Sequence, residues 1–244
     1  MLTQAWWQRL TGDPAFELPV IRRSGLTPYD VAWDEMRRRQ EAVVAGDDAA
    51  QALLVVEHPP TITRGRGLQL RQAPLSPESV VAGVAGLSGA GTDRQQQRQM
   101  PLAITQLSEQ VIYREIERGG DLTAHEPGQL VLYPVMRLND RDLGRFLRGF
   151  EGAVIDFLNG LEGRDYEALS VPDSSGVWVR GPRWAQPRKI ASLGVSVRSW
   201  VTMHGMALNV CNTLETFRWI QPCGYAPEAM ITLDEVAPGW CLVQ

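Results

Sequence analysis

KIASLGVSVRSWVTMHGMALNV, residues 189–210, decides the fold. Its two halves, Ile190–Arg198 and Val201–Val210, are dominated by β-branched and apolar residues with turn residues between them, a pattern that predicts two successive strands. Upstream, Tyr166–Val171 and Gly176–Arg180 are two more short runs of the same kind. Before them, Leu143, Phe146, Leu147, Phe150, Val154, Phe157 and Leu158 trace one face of a helix from Asp142 to Gly160, ended by Asn159 and Gly160. The aromatic residues on that face are read as core packing.

Further out, Leu130–Leu138 is strand-like, and VIYREIERGG, from Val111, alternates apolar and polar residues before the Gly119-Gly120 turn. ALLVVE, residues 52–57, is a short apolar run closed by His58-Pro59-Pro60 and suits a buried strand. Thr27 can cap a helix with Pro28 at its first position. Tyr29, Ala32, Trp33, Met36, Val43 and Val44 then fall on one face, and Gly46 suits the C-terminal cap. Helix, strands, helix and a strand-rich second half define an α/β chain of the α+β type, a mixed sheet layered with helices. With no internal repeat and no linker, a single domain over residues 1–244 is expected. Residues 1–25, Trp-rich with Pro14 and Pro19, read as a peripheral N-terminal arm. Residues 74–101, rich in Gly, Ser and Gln, read as an exposed insertion. TITRGRG, from Thr61, reads as a mobile basic loop.

Hydrophobic residues make up 44% and charged residues 21% of the 244, the balance of a soluble globular chain with a full core. A net charge of −4 gives no overall signature for nucleic acid, so none is expected as a partner. No run reaches the length of a membrane span, and MLTQAWWQRL lacks the order of a signal peptide, so a cytoplasmic protein is expected. Of the three cysteines, Cys211, Cys223 and Cys241, one must stay unpaired, and in a reducing compartment free thiols are the default. No C-x-x-C pair occurs, and His204, Cys211 and Cys223 lack the spacing of a zinc site; neither a metal nor a cofactor is expected.

The chemistry concentrates between Lys189 and Cys223. This region holds an amine at Lys189, an imidazole at His204 and, in IQPCG, a thiol at Cys223. A thiol nucleophile needs a group that favours its thiolate, and Lys189 offers an ammonium. Arg dominates the basic residues elsewhere; Lys, unlike Arg, can lose its proton when partly buried, so Lys189 is a candidate base as well as a candidate charge. A second dense segment, DLTAHEPGQ from Asp121, lies between two strands, which is typical of a site. Its preceding Gly119-Gly120 lets a ligand approach the backbone, and His125 is either a wall residue or a satisfied turn histidine.

The blocks RGGDLTAHEPGQLVLYP, KIASLGVSVRSWVTMHGMALNV and IQPCG resemble the lipoyl (octanoyl) transferase family. EHPPTITRGR, from Glu57, resembles that family's EHPP-x-x-T-x-GR segment, and Thr232-Leu233 its terminal Thr-Leu motif. The blocks run in the family's order over about residues 52–236. The resemblance implies a fold similar to the catalytic domains of biotin and lipoate protein ligases. It also implies transfer of an octanoyl group from octanoyl-acyl carrier protein to a specific lysine on lipoyl domains of 2-oxoacid dehydrogenases and on the glycine cleavage H protein. By that resemblance Cys223 is the acyl-thioester nucleophile and Lys189 its activating partner. Arg118, Gly119, Gly120, Asp121, Leu122, Thr123, Ala124 and His125 line the acyl pocket with Ser192, Leu193, Gly194, Gly205, Met206 and Ala207, and His204 stands at its edge. Because the implied partners are acidic domains, Arg64, Arg66, Arg180, Arg183 and Arg188 are candidate docking charges.

The chain departs from the family at Glu126, where HGPGQ usually places glycine, at Ala124, where an aromatic residue is usual, and at the displaced Thr63-Arg64-Gly65-Arg66. A Glu126 that points inward could shorten the acyl tunnel or pair with Lys189; one that points outward changes little. Two other readings compete: an ATP-dependent lipoate or biotin-type ligase on a similar scaffold, and a non-catalytic protein that binds lipoyl domains or acyl carriers.

Overall fold

The computed structural model describes residues 7, 8, 11, 15–69, 111–220, 222 and 225–239. The expected insertion at residues 74–101 therefore lies outside the described residues, as does Cys223. In chain order the elements are β1 (Val20–Leu26), α1 (Tyr29–Val44), β2 (Ala52–Glu57), β3 (Thr61–Arg64), α2 (Arg66–Gln69), β4 (Ile112–Glu115) and β5 (Leu122–His125). Then follow β6 (Gln129–Val135), α3 (Leu143–Asn159), β7 (Glu167–Val171), β8 (Ser174–Arg180), β9 (Arg188–Arg198), β10 (Val201–Asn209) and α4 (Leu233–Val236).

Seven strands form one sheet in the order β1-β2-β6-β10-β9-β8-β7, and β4-β3-β5 form a second, smaller one. In the large sheet β1 runs parallel to β2 and the other pairs are antiparallel. The period of two along a strand sorts its side chains between two cores. Leu53, Leu132, Met206 and Leu208 enter one core with Phe146, Phe150, Val154 and Leu158 of α3. Leu54, Val56, Val131, Tyr133, Met203 and Ala207 enter the other, with Ala32, Met36 and Val43 of α1. The result is a sheet with a helix on each face, as a mixed sheet layered with helices requires.

Asp142 accepts a hydrogen bond from the Arg145 backbone at 2.8 Å and so caps α3. On α1 the cap is Pro28, with no side-chain bond, and not Thr27. The 1–25 arm is not peripheral where it is described: Trp7 and Leu18 are buried in the α3-side core, and Val20–Leu26 is the edge strand of the large sheet. That strand carries mostly exposed residues, so no apolar alternation announces it in the sequence. TITRGRG is not a loop throughout, because Thr61–Arg64 forms the fully buried central strand of the small sheet.

Two β6 residues shape the middle of the large sheet. Pro134 has no N–H to give to β10, and the ladder between them is filled instead by the Thr202 hydroxyl, which donates to Pro134 O at 2.7 Å. Opposite Pro134 stand His204, with a positive φ of 63°, and Gly205, where a Cβ would lie 2.0 Å from Leu132 O. Only glycine permits that approach. Gly205→Ala should therefore destabilise by about 3 kcal/mol, the upper range of overpacking costs. In calorimetry that is a midpoint roughly 6–12 °C lower for a chain of this size; an unchanged midpoint would show that β6 yields at this point.

Candidate active site

Beside β9 and β10 lies a cleft enclosing about 390 Å³, part of it open to solvent. Its walls come from five places: Tyr29 at the start of α1, Arg118 before β5, Thr123 and His125 of β5, Val131 and Tyr133 of β6, and Ser192–Gly194 with His204–Ala207 on the paired strands β9 and β10. Of the residues assigned to a pocket by resemblance, Arg118, Thr123, His125, Ser192, Leu193, Gly194, His204, Gly205, Met206 and Ala207 meet here. Gly119, Gly120, Asp121, Leu122 and Ala124 are not among the lining residues. Strand alternation explains the last two, since Thr123 and His125 face the cleft while Leu122 and Ala124 pack on the other side with Ile62, Phe217 and Ile220. Gly119 serves the backbone, its N–H donating to Val195 O at 2.9 Å.

Arg118 is buried, and its guanidinium is held by oxygens of the protein. Nη2 donates to Thr63 O at 2.7 Å and to Asp121 O at 2.9 Å, and Nη1 donates to Gly119 O at 2.9 Å. The TRGRG and RGGD segments are joined further by backbone bonds from Gly65 to Asp121 and from Arg66 to Arg118. Arg64 is wholly buried and ion-paired with Glu115 at 2.6 Å, so it is no docking charge. Arg66 is exposed, while Arg180 pairs with Glu167 and Arg183 with Asp165.

All three histidines of the chain gather at the inner end of the cleft with Tyr29 and Tyr133. His58 Nδ1 lies 2.7 Å from Thr27 O, so it donates there, and Nε2 accepts from the Tyr133 hydroxyl at 3.0 Å. His125 stacks on Tyr29 with ring centroids 5.6 Å apart and meets His58 edge-on at 5.4 Å. His204 Nδ1 faces the Tyr29 hydroxyl at 3.5 Å, and its Nε2 lies 3.5 Å from Glu117 without hydrogen-bond geometry.

Burial pushes the three imidazoles down: His58 to about 4, His125 well below its ordinary value, and His204 downward despite the nearby Glu117 carboxylate. Burial likewise raises the Tyr29 and Tyr133 hydroxyls. The aromatic end of the cleft is thus uncharged at neutral pH. Burial would raise Glu117 as well, but His204, its own backbone N–H and Arg37 bring it down to about 2. Tyr29, Tyr133 and His58 were not singled out in the sequence as site residues. Tyr29 sits on an amphipathic helical face where core packing is the ordinary reading.

Lys189 is the second residue of β9 and is 2% exposed. Its Nζ lies 5.4 Å from the Trp178 ring centroid and 5.9 Å from that of Tyr225, and the two rings meet edge-to-face at 4.9 Å. Gly176 on β8 leaves room for the chain of this lysine, for a Cβ there would come within 2.9 Å of Lys189 Cε. Lys189 O accepts from Ile231 N–H at 3.1 Å, which ties β9 to the segment before α4. There Thr232, of the Thr-Leu pair, caps α4 in a reciprocal box with Glu235.

Glu126 neither enters the cleft nor pairs with Lys189. It is buried, and its carboxylate accepts from Asn212 Nδ2 at 2.8 Å and from the Thr216 backbone N–H at 3.0 Å. Cys211 is disulfide-bonded, which corrects the expectation of three free thiols. The compartment argument concerns redox poise, whereas pairing also depends on which cysteines the fold brings together. The two other cysteines, Cys223 and Cys241, lie outside the described residues. Among the described residues no cluster of His, Cys, Asp and Glu could hold a metal ion, and no helix is long and apolar enough to cross a membrane.

The same arrangement of sheet and helices is found in lipoate ligases. Lipoate-protein ligase A bound with ATP superposes with a TM-score of 0.58 at 16% identity, covering 92% of this chain and 79% of its own. The bipartite lipoate protein ligase from Thermoplasma acidophilum gives 0.51 at 16% identity, covering 93% and 78%. These likenesses define the fold class. The lipoyl protein ligase A/B catalytic domain matches residues 91–241, and the chain belongs to that family. Among its relatives, a protein of Solibacter usitatus named octanoyltransferase is 40% identical over 84% of this chain and 77% of its own length. One of Rubrobacter xylanophilus with the same name is 37% identical over 89% and 83%, and one of Synechococcus sp. WH7803 is 34% identical over 94% and 79%.

Proposed function

We propose that the chain is an octanoyltransferase of protein lipoylation that takes its acyl group from acyl carrier protein, holds it on Cys223 and delivers it to a lipoyl-domain lysine. The observation that supports this most is the cleft itself: a cavity lined at one end by uncharged aromatic and imidazole side chains, beside a strand whose second residue is a buried lysine. It occurs in a chain whose relatives bear that name. An apolar chain of eight carbons is stabilised in such a cleft by leaving water, and the one guanidinium in its lining, that of Arg118, is already held by Thr63, Gly119 and Asp121 oxygens.

The first step exchanges one thioester for another. The Cys223 thiolate attacks the octanoyl carbonyl, the carrier thiol leaves with the electron pair, and the Lys189 ammonium would favour the attacking thiolate. In the second step the amine of the lipoyl-domain lysine attacks the same carbonyl and the Cys223 sulfur leaves. Lys189, left neutral because its proton has gone to the departing carrier thiolate, takes the proton the new amide sheds. No nucleotide is consumed, which separates this reading from an ATP-dependent ligase of the same fold.

Intact-mass spectrometry tests the reading. After incubation with octanoyl-acyl carrier protein in a reducing buffer, the wild type should gain one octanoyl group that hydroxylamine removes, and Cys223→Ala should gain none. An unmodified wild type, or an adduct that survives in Cys223→Ala, would remove the covalent mechanism. Reductant belongs in the assay because Cys211 is disulfide-bonded.

A further inference from the structure

Glu126 occupies a place that the acyl cleft and the covalent chemistry leave unexplained. It lies one residue beyond His125, a wall of the cleft, in the turn between β5 and β6, and it is 3% exposed. A carboxylate so buried is retained only where donors meet it. Here two do: the Asn212 side-chain amide at 2.8 Å and the Thr216 backbone N–H at 3.0 Å. Both belong to the segment that follows β10, and Thr216 is the first residue of the 3₁₀ turn Thr216–Trp219. Glu215, before that turn, gives no side-chain cap, so Glu126 supplies from another part of the chain the acceptor a helix start needs.

The contact belongs to a connected set. His125 Nδ1 donates to Gln129 Oε1 at 2.9 Å, Gln129 Nε2 donates to Asn209 Oδ1 at 2.9 Å, and Asn212 Nδ2 also reaches Asn209 Oδ1 at 3.3 Å. Asn209 Nδ2 in turn donates to Ile231 O at 3.2 Å, next to the backbone bond from Ile231 to Lys189. The turn itself is pressed onto the same segment. Cys211 N–H donates to Gly128 O at 3.0 Å, and Gly128, with φ of 87°, comes so close that a Cβ would lie 2.7 Å from Asn212 N. The far side of the 3₁₀ turn is fixed by Phe217 and Ile220 in the small core with Ala124. One end of this set is a wall of the cleft, another is the backbone of Lys189, and the third is the turn that leads toward Pro222 and Tyr225, whose ring lies against Trp178.

We propose that Glu126 is a positioning residue for acyl transfer, tying the 211–219 segment, which precedes the proposed nucleophile Cys223 in the chain, to the strand end that carries His125, a wall of the cleft. The proposal rests on the covalent reading above. It assigns to Glu126 an effect on the rate of acylation and not on acyl-group binding, because the side chain does not line the cleft. Near-attack geometry is sensitive to displacements on the order of 1 Å, which change rates by about 100-fold.

Single-turnover acylation by octanoyl-acyl carrier protein, followed by intact mass at a range of carrier concentrations, provides the test. Glu126→Ala should acylate about 10- to 100-fold more slowly at saturating carrier, with the half-saturating concentration within about 3-fold of the wild type. Glu126→Gln should recover much of the rate. Its oxygen can still accept from Thr216, and Asn212, whose Oδ1 is buried without a partner, can turn its amide to receive the new N–H. Should Glu126→Ala fail to fold, Asn212→Ala removes the same link from the other side and is expected to show the same rate loss at unchanged half-saturation.

Wild-type acylation rates in Glu126→Ala, or in Asn212→Ala where the former does not fold, would overturn the proposal. So would a loss confined to half-saturation, or a Gln variant no better than Ala. If the wild type itself takes up no acyl group, the covalent reading has failed; if the wild type acylates and the variants match it, only the positioning role has.

Discussion

Lys189→Met should lower turnover by about 10²- to 10⁴-fold, the range ascribed to a positioned proton-transfer group, while the folded chain persists with a midpoint near that of the wild type. Met fills the volume of the lysine stem against Trp178 and Tyr225 and brings no charge to be buried. Lys189→Arg divides the roles of the amine. The guanidinium keeps the positive charge but cannot give up a proton. It should therefore support formation of the thioester better than Met does, yet fail at amide formation, so that octanoylated enzyme accumulates. The missing Cβ of Gly176, 2.9 Å from Lys189 Cε where it would be built, shows how little space the larger head has. Because Lys189 is the chain's only lysine, an adduct that resists hydroxylamine can lie only there or on the terminal amine, and intact mass reads the outcome cleanly. Wild-type turnover in Lys189→Met would take the residue out of the mechanism.

The sequence made the antiparallel part of the large sheet and both long helices legible because the apolar period is clear there, although the start of α1 falls one residue beyond the expected Thr27 cap. Leu53 and Leu54, or Leu132 and Tyr133, must go to opposite cores, and an apolar run in such a strand has no other use. The edge strand β1 and the central strand β3 were not legible, for opposite reasons. β1 pairs on one side only and buries almost nothing, so its Arg22-Arg23-Ser24 run looks like loop. β3 buries Thr61, Thr63 and Arg64, polar residues whose bonds come from distant segments, so its pattern looks exposed while its position is not. A carboxylate more than fifty positions downstream in the chain decides that an arginine is inside.

The cleft divides along the same line. Its β5, β9 and β10 walls lie in runs whose order along the chain carries the family resemblance. Tyr29 and Tyr133 reach it from a helix start and from the neighbouring strand, and nothing local distinguishes them from core aromatics. Glu126 shows the limit most plainly. Its sequence context left open whether it points into the acyl tunnel or away from it, and the structure carries it to the opposite side of the strand end, where Asn212 and Thr216 had donors to satisfy.

Acidification should unfold this protein steeply below pH 6.5, and the three buried histidines are the reason. In the unfolded chain each binds a proton near pH 6.5. In the folded chain His58 does so only near about 4, and His125 and His204 are likewise held below their ordinary value. The unfolded state therefore binds more protons than the folded one throughout that window, so stability rises with pH and falls as the pH is lowered through 6.5. His58 alone loses about 3 kcal/mol by the time its folded form also protonates, and His125 and His204 add to the loss in the same direction. Against a total of about 5–15 kcal/mol that loss is a large part of what holds the fold. The depressed carboxyls of Glu117, Asp30 and Glu35 work in the same direction below about 4.5, where they lose their partners on protonation. Melting midpoints measured from pH 7.5 to 4.5 should fall as the pH is lowered through 6.5, with a net uptake of protons on unfolding between pH 6 and 5, and His58→Gln should lower that uptake by about one. A midpoint flat across that interval would mean that the imidazoles are hydrated in solution, and the uncharged end of the cleft, with its claim on an apolar chain, would have to be given up.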